Sequence, residues 1–303
     1  MENINDIVLD FRQDTDINEE IKNWESRFEE NVKAAADYIL SQTGIKTIAL
    51  AGPTCSGKTT TANKLADYLA AGGRRVVTVS IDDFYKEQEG PIDHLHTPDY
   101  ESPEALDLAE FGSFTYSLMN GIETYAPIYD FKEKRRVGKR KYVPQENDIY
   151  IFEGIQAHYP EIYNALSLTH CIRVFINVSS AVTANGMRFE AHEIRLIRRI
   201  LRDYNNRASS PEFTIRLWDS VRDNEEKRIL PYSVAAEVHI NSVIPYDLYV
   251  MATEVYDILD TVDLYSPLYP TVSFIKKKLT RIIPYAILES DVPADSLLHE
   301  FID

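Results

Sequence analysis

Residues 47–71 read Thr-Ile-Ala-Leu-Ala-Gly-Pro-Thr-Cys-Ser-Gly-Lys-Thr-Thr-Thr-Ala-Asn-Lys-Leu-Ala-Asp-Tyr-Leu-Ala-Ala, and this stretch decides the fold. Thr47 to Ala51 is a short apolar run of strand type. Residues 60–71 carry Leu65 and Leu69 one turn apart and read as a helix. Between them Gly52, Pro53, Thr54, Cys55, Ser56, Gly57, Lys58 and Thr59 fill the phosphate-binding pattern G-x-x-x-x-G-K-[ST] at every fixed position. Gly52 and Gly57 allow backbone conformations closed to other residues and a close approach to a ligand. The loop's N–H groups, with Thr60 behind them, then point at a polyanion at the positive end of the helix dipole. Lys58 would reach the β- and γ-phosphates of ATP, and the Thr59 hydroxyl would sit on Mg²⁺. A chance glycine-rich turn would not bring a strand before it and a helix after it.

Short apolar strands alternate with helices along the rest of the chain. Strands are expected at 75–81, 149–152, 172–178 and 238–240, and helices at 17–43, 192–207, from Pro211 to Arg228 and at 248–264. Pro103 is placed to open a helix running to about Asn120. A two-stranded excursion is expected at 125–147, with arms Tyr125–Phe131 and Arg140–Val143 around Gly138. Such alternation indicates an α/β fold, a parallel sheet covered by helices on both faces.

The net charge of −16 opposes binding to nucleic acid, which needs a basic surface. No apolar stretch approaches the roughly 18 residues of a membrane span. The acidic N-terminus lacks the layout of a signal peptide, and two cysteines give no disulfide framework, so a cytoplasmic protein is expected. Two basic islands stand against the overall charge. Residues 132–141 hold seven basic side chains and one acid, and residues 188–207 hold Arg188, Arg195, Arg198, Arg199, Arg202 and Arg207. Each is either a solvated face or a site for a small anion.

Three further signals fall where a phosphate-loop enzyme needs them. Asp82 and Asp83 follow the strand at 75–81, at the sheet edge where open α/β sheets bind ligands, and a carboxylate there can take a hydroxyl proton during phosphoryl transfer. An Asp pair in that place could equally cap a helix or a turn. Glu153 ends the strand at 149–152, where a carboxylate suits Mg²⁺. Arg195, Arg198, Arg199 and Arg202 line one side of a helix, suited to closing over phosphoryl oxygens. His94 and His96 alternate in a polar loop without nearby cysteines, a weak metal pattern. No Asn-Lys-x-Asp element that would read guanine is present.

The phosphate loop, Ser80-Ile-Asp-Asp-Phe-Tyr85, Pro127-Ile-Tyr-Asp-Phe131, Phe152-Glu-Gly154 and Arg195-Leu-Ile-Arg-Arg-Ile-Leu-Arg-Asp203 stand in the order seen in uridine kinases. Over roughly residues 46–250 the chain resembles the uridine kinase-like branch of the phosphoribulokinase/uridine kinase family, which are P-loop kinases. Trp218-x-x-Val221 and Asn241-Ser242 are similar to a bacterial branch often fused to a small domain shared with threonyl-tRNA synthetases, a domain not expected here. The resemblance implies the P-loop NTPase three-layer fold with a small β-hairpin excursion and a helical lid at about 185–210. A kinase domain at 45–265 would lie between helical extensions at 1–44 and 266–303.

It also implies roles. Asp82 would take the proton from a nucleoside 5′-hydroxyl, and Tyr85 would be an active-site tyrosine. Tyr100-Glu101 stand where a Phe-Asp pair holds ribose hydroxyls, and Tyr129 would contact the base. Arg195 would face the acceptor, while Arg198, Arg199 and Arg202 would form the lid over the triphosphate. The departures concern the acceptor. Lys134 stands where a histidine reads the pyrimidine, Glu101 replaces Asp, Glu193 stands where Asp is usual and Ala208 replaces a common glycine. With Arg136, Lys134 could instead hold an anionic acceptor. The expected activity is transfer of the γ-phosphate of Mg·ATP to a small-molecule primary hydroxyl, most simply a nucleoside's. A sugar-phosphate or pantothenate kinase and a non-catalytic nucleotide-binding regulator are the alternatives. Assembly with further copies of the chain is open.

Overall fold

In a computed structural model that describes residues 6–12, 14–87 and 100–302, the chain order is β1 (Ile7–Leu9), α1 (Ile17–Ser41), β2 (Ile45–Ala51), α2 (Lys58–Ala71), β3 (Arg75–Ser80), α3 (Leu108–Met119), β4 (Thr124–Asp130) and β5 (Arg135–Tyr142). Then come β6 (Asp148–Glu153), α4 (Pro160–Leu166), β7 (His170–Asn177), β8 (Val182–Ala184), β9 (Met187–Phe189), α5 (Ala191–Arg207) and α6 (Pro211–Asn224). The chain continues through α7 (Leu230–Ser233), β10 (Val238–Asn241), α8 (Asp247–Asp260), α9 (Tyr269–Leu279) and α10 (His299–Ile302). His94 and His96 lie outside the described residues.

The main sheet has five strands in the order β10-β7-β2-β6-β3, and every pairing in it is parallel. Successive side chains of a strand point to opposite faces. Ile48, Leu50, Ile149, Ile151, Ile172 and Val174 enter one buried core with α1, α2, α5 and α8. Ala49, Ala51, Tyr150, Phe152, Cys171 and Phe175 enter the other with α3 and α4. Apolar residues on both faces explain why the strands read as continuous hydrophobic runs rather than alternating ones. The three layers and the parallel sheet are those expected. Leu279, Leu298 and Phe301 share the first core with Phe28 and Val32, so α1 and the segment from α9 to α10 are built into the body of the fold.

Four local expectations need correction. Pro103 opens only a single 3-10 turn, Pro103–Ala105, and the helix proper starts at Leu108, where the Asp107 side chain accepts from Glu110 N. The hairpin turns at residues 131–134 rather than around Gly138, which lies within β5 opposite Ile128, beside a register shift. Lys134 takes the positive φ of 53° that this turn requires. The helix from Pro211 widens into a π turn at Glu225–Ile229, where Glu225 is drawn into a buried ion pair. The N-terminal extension is not wholly helical: β1 pairs in parallel with β8, whose other neighbour is the antiparallel β9. Asn185-Gly186 forms the turn between β8 and β9 with φ of 44° and 75°. An Asn-Gly pair between apolar residues is a strong short hairpin signal.

Candidate active site

The C-terminal ends of β2, β6 and β3 carry the site. The register pairs Leu50 with Glu153 and Ser80 with Glu153. The phosphate loop, Glu153 and the Asp82 turn therefore leave the sheet at one level. Gly154 N–H donates to Leu50 O at 3.1 Å and locks that level.

Within the loop, Gly57 has φ of 84° and Cys55 a φ of 55°, the turn geometry that aims N–H groups inward. A Cβ on Gly52 would come within 2.2 Å of Ile176 O, so only glycine fits where the loop crosses β7. Residues 52–57 are buried, Lys58 is half-buried and Thr59 is exposed at the start of α2. Lys58 Nζ donates to Pro53 O at 3.2 Å. The Ser56 hydroxyl is buried and without a hydrogen-bond partner among the described residues.

Asp82 sits in a single 3-10 turn, Ile81–Phe84, directly after β3. Its Oδ1 is enclosed and has no hydrogen-bond partner among the described residues. Burial raises its pKa, and the charges of Lys58, Arg207 and Arg202 oppose that rise. Glu153 accepts from Ser80 Oγ at 3.0 Å, and burial, with the Asp82 charge second, pushes its pKa up to about 7. Two enclosed carboxylates share the positive charge of Lys58, an arrangement that suits a cation. Glu153 and the Thr59 hydroxyl supply oxygens of the type Mg²⁺ prefers. Asp83 is turned elsewhere: its Oδ1 accepts from Tyr129 N at 3.1 Å and ties the hairpin to the turn.

The arginines of α5 divide into two groups. Arg195 donates to Thr54 O at 3.2 Å and to Glu225 at 2.7 Å. Arg198 donates to Cys55 O at 3.4 Å, to Ser242 O at 3.1 Å and to Asp247 at 2.8 Å, and has no exposed surface. Both grip carbonyls of the phosphate loop. This corrects the lid role expected for Arg198 and the acceptor-facing role expected for Arg195, because each guanidinium is buried and ion-paired. Arg202 and Arg199 instead converge on Asp203, at 2.7 and 3.2 Å, and Arg207 stands 3.8 Å from it. Burial alone would raise the Asp203 pKa, but the charges of Arg202, Arg199 and Arg207 outweigh it and hold the group at about 2. Arg207 also lies 4.7 Å over the Phe131 ring. It is the last arginine of the basic island at 188–207.

Just after the Asp82 turn, Tyr85 joins Tyr100, Tyr129 and Phe131 in an edge-to-face aromatic cluster, with centroids 5.2 Å apart for Tyr85–Tyr100 and 5.5 Å for Tyr85–Tyr129. Tyr85 Oη donates to Tyr100 O at 2.6 Å. Gln156 Nε2 donates to Tyr85 Oη at 3.0 Å and to Tyr100 O at 2.8 Å. Asn224 Nδ2 donates to the Glu101 carboxylate at 2.7 Å. Gln156 and Asn224 were missed by sequence reasoning, since neither carries a motif and each meets its partners only through the fold. Lys134 is exposed on the hairpin turn. Arg136, expected at the acceptor, donates to Tyr85 O at 3.0 Å and to Glu110 at 2.7 Å, binding the hairpin to the Asp82 turn and α3.

A family model described as Phosphoribulokinase / Uridine kinase family matches residues 47–248. A uridine kinase of Mycoplasma genitalium is 29% identical over 175 residues, which cover 57% of this chain and 74% of that one. An inorganic pyrophosphatase, TTM2, of Arabidopsis thaliana is 29% identical over 179 residues, 58% of this chain and 23% of that protein. The solved structure of a possible uridine kinase from Bacillus stearothermophilus aligns with a TM-score of 0.47 at 17% identity, over 71% of this chain and 99% of that one. Among the described residues no helix is long and apolar enough to cross a membrane.

Proposed function

The chain belongs to the Phosphoribulokinase / Uridine kinase family, a family of P-loop kinases for small alcohols, and on that premise we propose that it moves the γ-phosphate of Mg·ATP to the 5′-hydroxyl of a nucleoside of the uridine or cytidine kind. The observation that carries this reading is Asp82. Its enclosed Oδ1, without a hydrogen-bond partner among the described residues, leaves the sheet beside the phosphate loop and feels the charge of Lys58. A carboxylate whose pKa is raised by burial is a better proton acceptor than one in water.

In this mechanism the loop N–H groups and Lys58 hold the polyphosphate. Asp82 Oδ1 takes the proton of the acceptor hydroxyl as that oxygen bonds to the γ-phosphorus and the bond to the β–γ bridging oxygen breaks. Arg202 and Arg207, held by Asp203, offset charge on the transferring group. Thr59 and Glu153 would hold Mg²⁺, which when bound neutralises phosphate charge. Arg195 and Arg198 act indirectly, by fixing the loop's carbonyls from behind. The aromatic cluster and Glu101 would take the acceptor, rings against its base and carboxylate against its hydroxyls.

The test is ATP-dependent phosphorylation of a panel of nucleosides, sugar phosphates and pantothenate by the purified full chain. Turnover confined to nucleosides supports the reading. Preference for a sugar phosphate or pantothenate would replace the acceptor. Binding of ATP with no phosphorylated product across the panel would make the protein a nucleotide-binding regulator.

A further inference from the structure

The C-terminal segment reaches the start of α2, 240 residues away in sequence. The first N–H groups of a helix have no acceptor within it. In α2 the Thr60 N–H is one of these, and it donates to Glu300 Oε2 at 3.3 Å, with the Thr60 hydroxyl donating to the same oxygen at 3.2 Å. Beside it Leu297 stands over Gly57, where a Cβ would come within 1.8 Å of its Cδ1. The Phe301 ring lies 5.0 Å under the Arg198 guanidinium. Leu297, Leu298 and Phe301 have no exposed surface, and Ser296 Oγ donates to Glu25 at 2.6 Å, so the segment's backbone is anchored. Glu300 itself is only half-buried. Its charge acts on both Glu153 and Arg202, and its carboxylate stands at the Thr60 end of the phosphate loop.

We propose that Glu300 is an internal competitor for the nucleotide: its carboxylate takes a phosphate oxygen's place on Thr60 N–H, and ATP binding requires that side chain to swing away. The inference rests on the phosphate-loop reading above and adds a regulatory contact to it. One N–H at the positive end of a helix serves one anion, and a second anion beside it is repelled. Because the backbone stays anchored, the movement is a side-chain rotation, not an unfolding of the segment. The C-terminal segment thereby sets the ATP affinity of the loop it touches.

The experiment measures the ATP dissociation constant by calorimetry for the full chain and for Glu300→Ala, Glu300→Gln and Lys58→Ala. Both Glu300 variants should bind ATP about tenfold more tightly, equivalent to roughly 1.4 kcal/mol and within the range for a carboxylate at a helix N-terminus. Without nucleotide, Glu300→Ala should melt at a lower temperature than the unmodified chain, since the same contact stabilises the empty loop. Unchanged or weaker ATP binding in both Glu300 variants, with binding abolished in Lys58→Ala, overturns the inference and leaves the phosphate-loop reading intact. ATP binding that survives Lys58→Ala overturns that reading, and the inference with it.

Discussion

Arg198→Ala separates a lid arginine from a buttress. The guanidinium has no exposed surface and bonds Asp247 at 2.7 and 2.8 Å, Ser242 O at 3.1 Å and Cys55 O at 3.4 Å. Truncation leaves the Asp247 carboxylate buried without a counter-charge, and Asp247 Oδ1 already lacks a hydrogen-bond partner among the described residues. Removing one partner of a buried pair costs about 3–5 kcal/mol. Burial already raises the Asp247 pKa, with Arg198 as the chief opposing influence, and the substitution raises it further. A group whose folded pKa lies above its unfolded value loses stability as pH rises, so the deficit should be larger at pH 8 than at pH 5. Urea unfolding at both pH values measures this. Arg198→Met with Asp247→Leu removes both charges and should recover most of the loss, because a buried pair exchanged for apolar side chains is often near neutral. If Arg198→Ala unfolds at the unmodified chain's urea midpoint and loses only turnover, the arginine is a free catalytic cation and the buttress account fails.

Ala208 ends α5 with φ of 49° and ψ of 34°, a conformation that costs a non-glycine residue roughly 1–2 kcal/mol. Ala208→Gly should raise stability by about 1 kcal/mol, read as a higher urea midpoint, and no gain would mean the strain is not there. Glu153, with its folded pKa raised to about 7, contributes stability below its unfolded pKa and loses it as pH rises through about 7. Glu153→Gln should therefore gain on the unmodified chain between pH 5 and pH 8, and added Mg²⁺ should narrow the gap. Parallel stability profiles would show that Glu153 does not carry this strain.

The parts of the fold legible in the sequence are those written in contiguous residues. Thr47 to Ala71 announced strand, loop and helix because periodicity and the glycine spacing agree along one run. Asp82 and Glu153 were legible because each directly follows a recognisable strand, so the sheet delivers them to one edge. Partners far apart in sequence were not. Nothing near Arg198 points to Asp247, 49 residues on, or near Thr60 to Glu300. A row of arginines at helical spacing looks the same whether it faces solvent or a buried carboxylate. Gly138 misled because glycine serves a bulge as well as a turn, whereas the turn itself uses Lys134 at positive φ. The strand Ile7–Leu9 is too short to show periodicity, and its pairing with Val182–Ala184 exists only in the folded chain.

The central claim is that Asp82 takes the proton of an acceptor hydroxyl at a loop that holds ATP. Turnover of Asp82→Asn with the best acceptor, measured beside its ATP dissociation constant, tests this most directly. The account predicts kcat lower by about 10²-fold or more with ATP bound nearly as tightly as by the unmodified chain. Undiminished kcat in Asp82→Asn would contradict it.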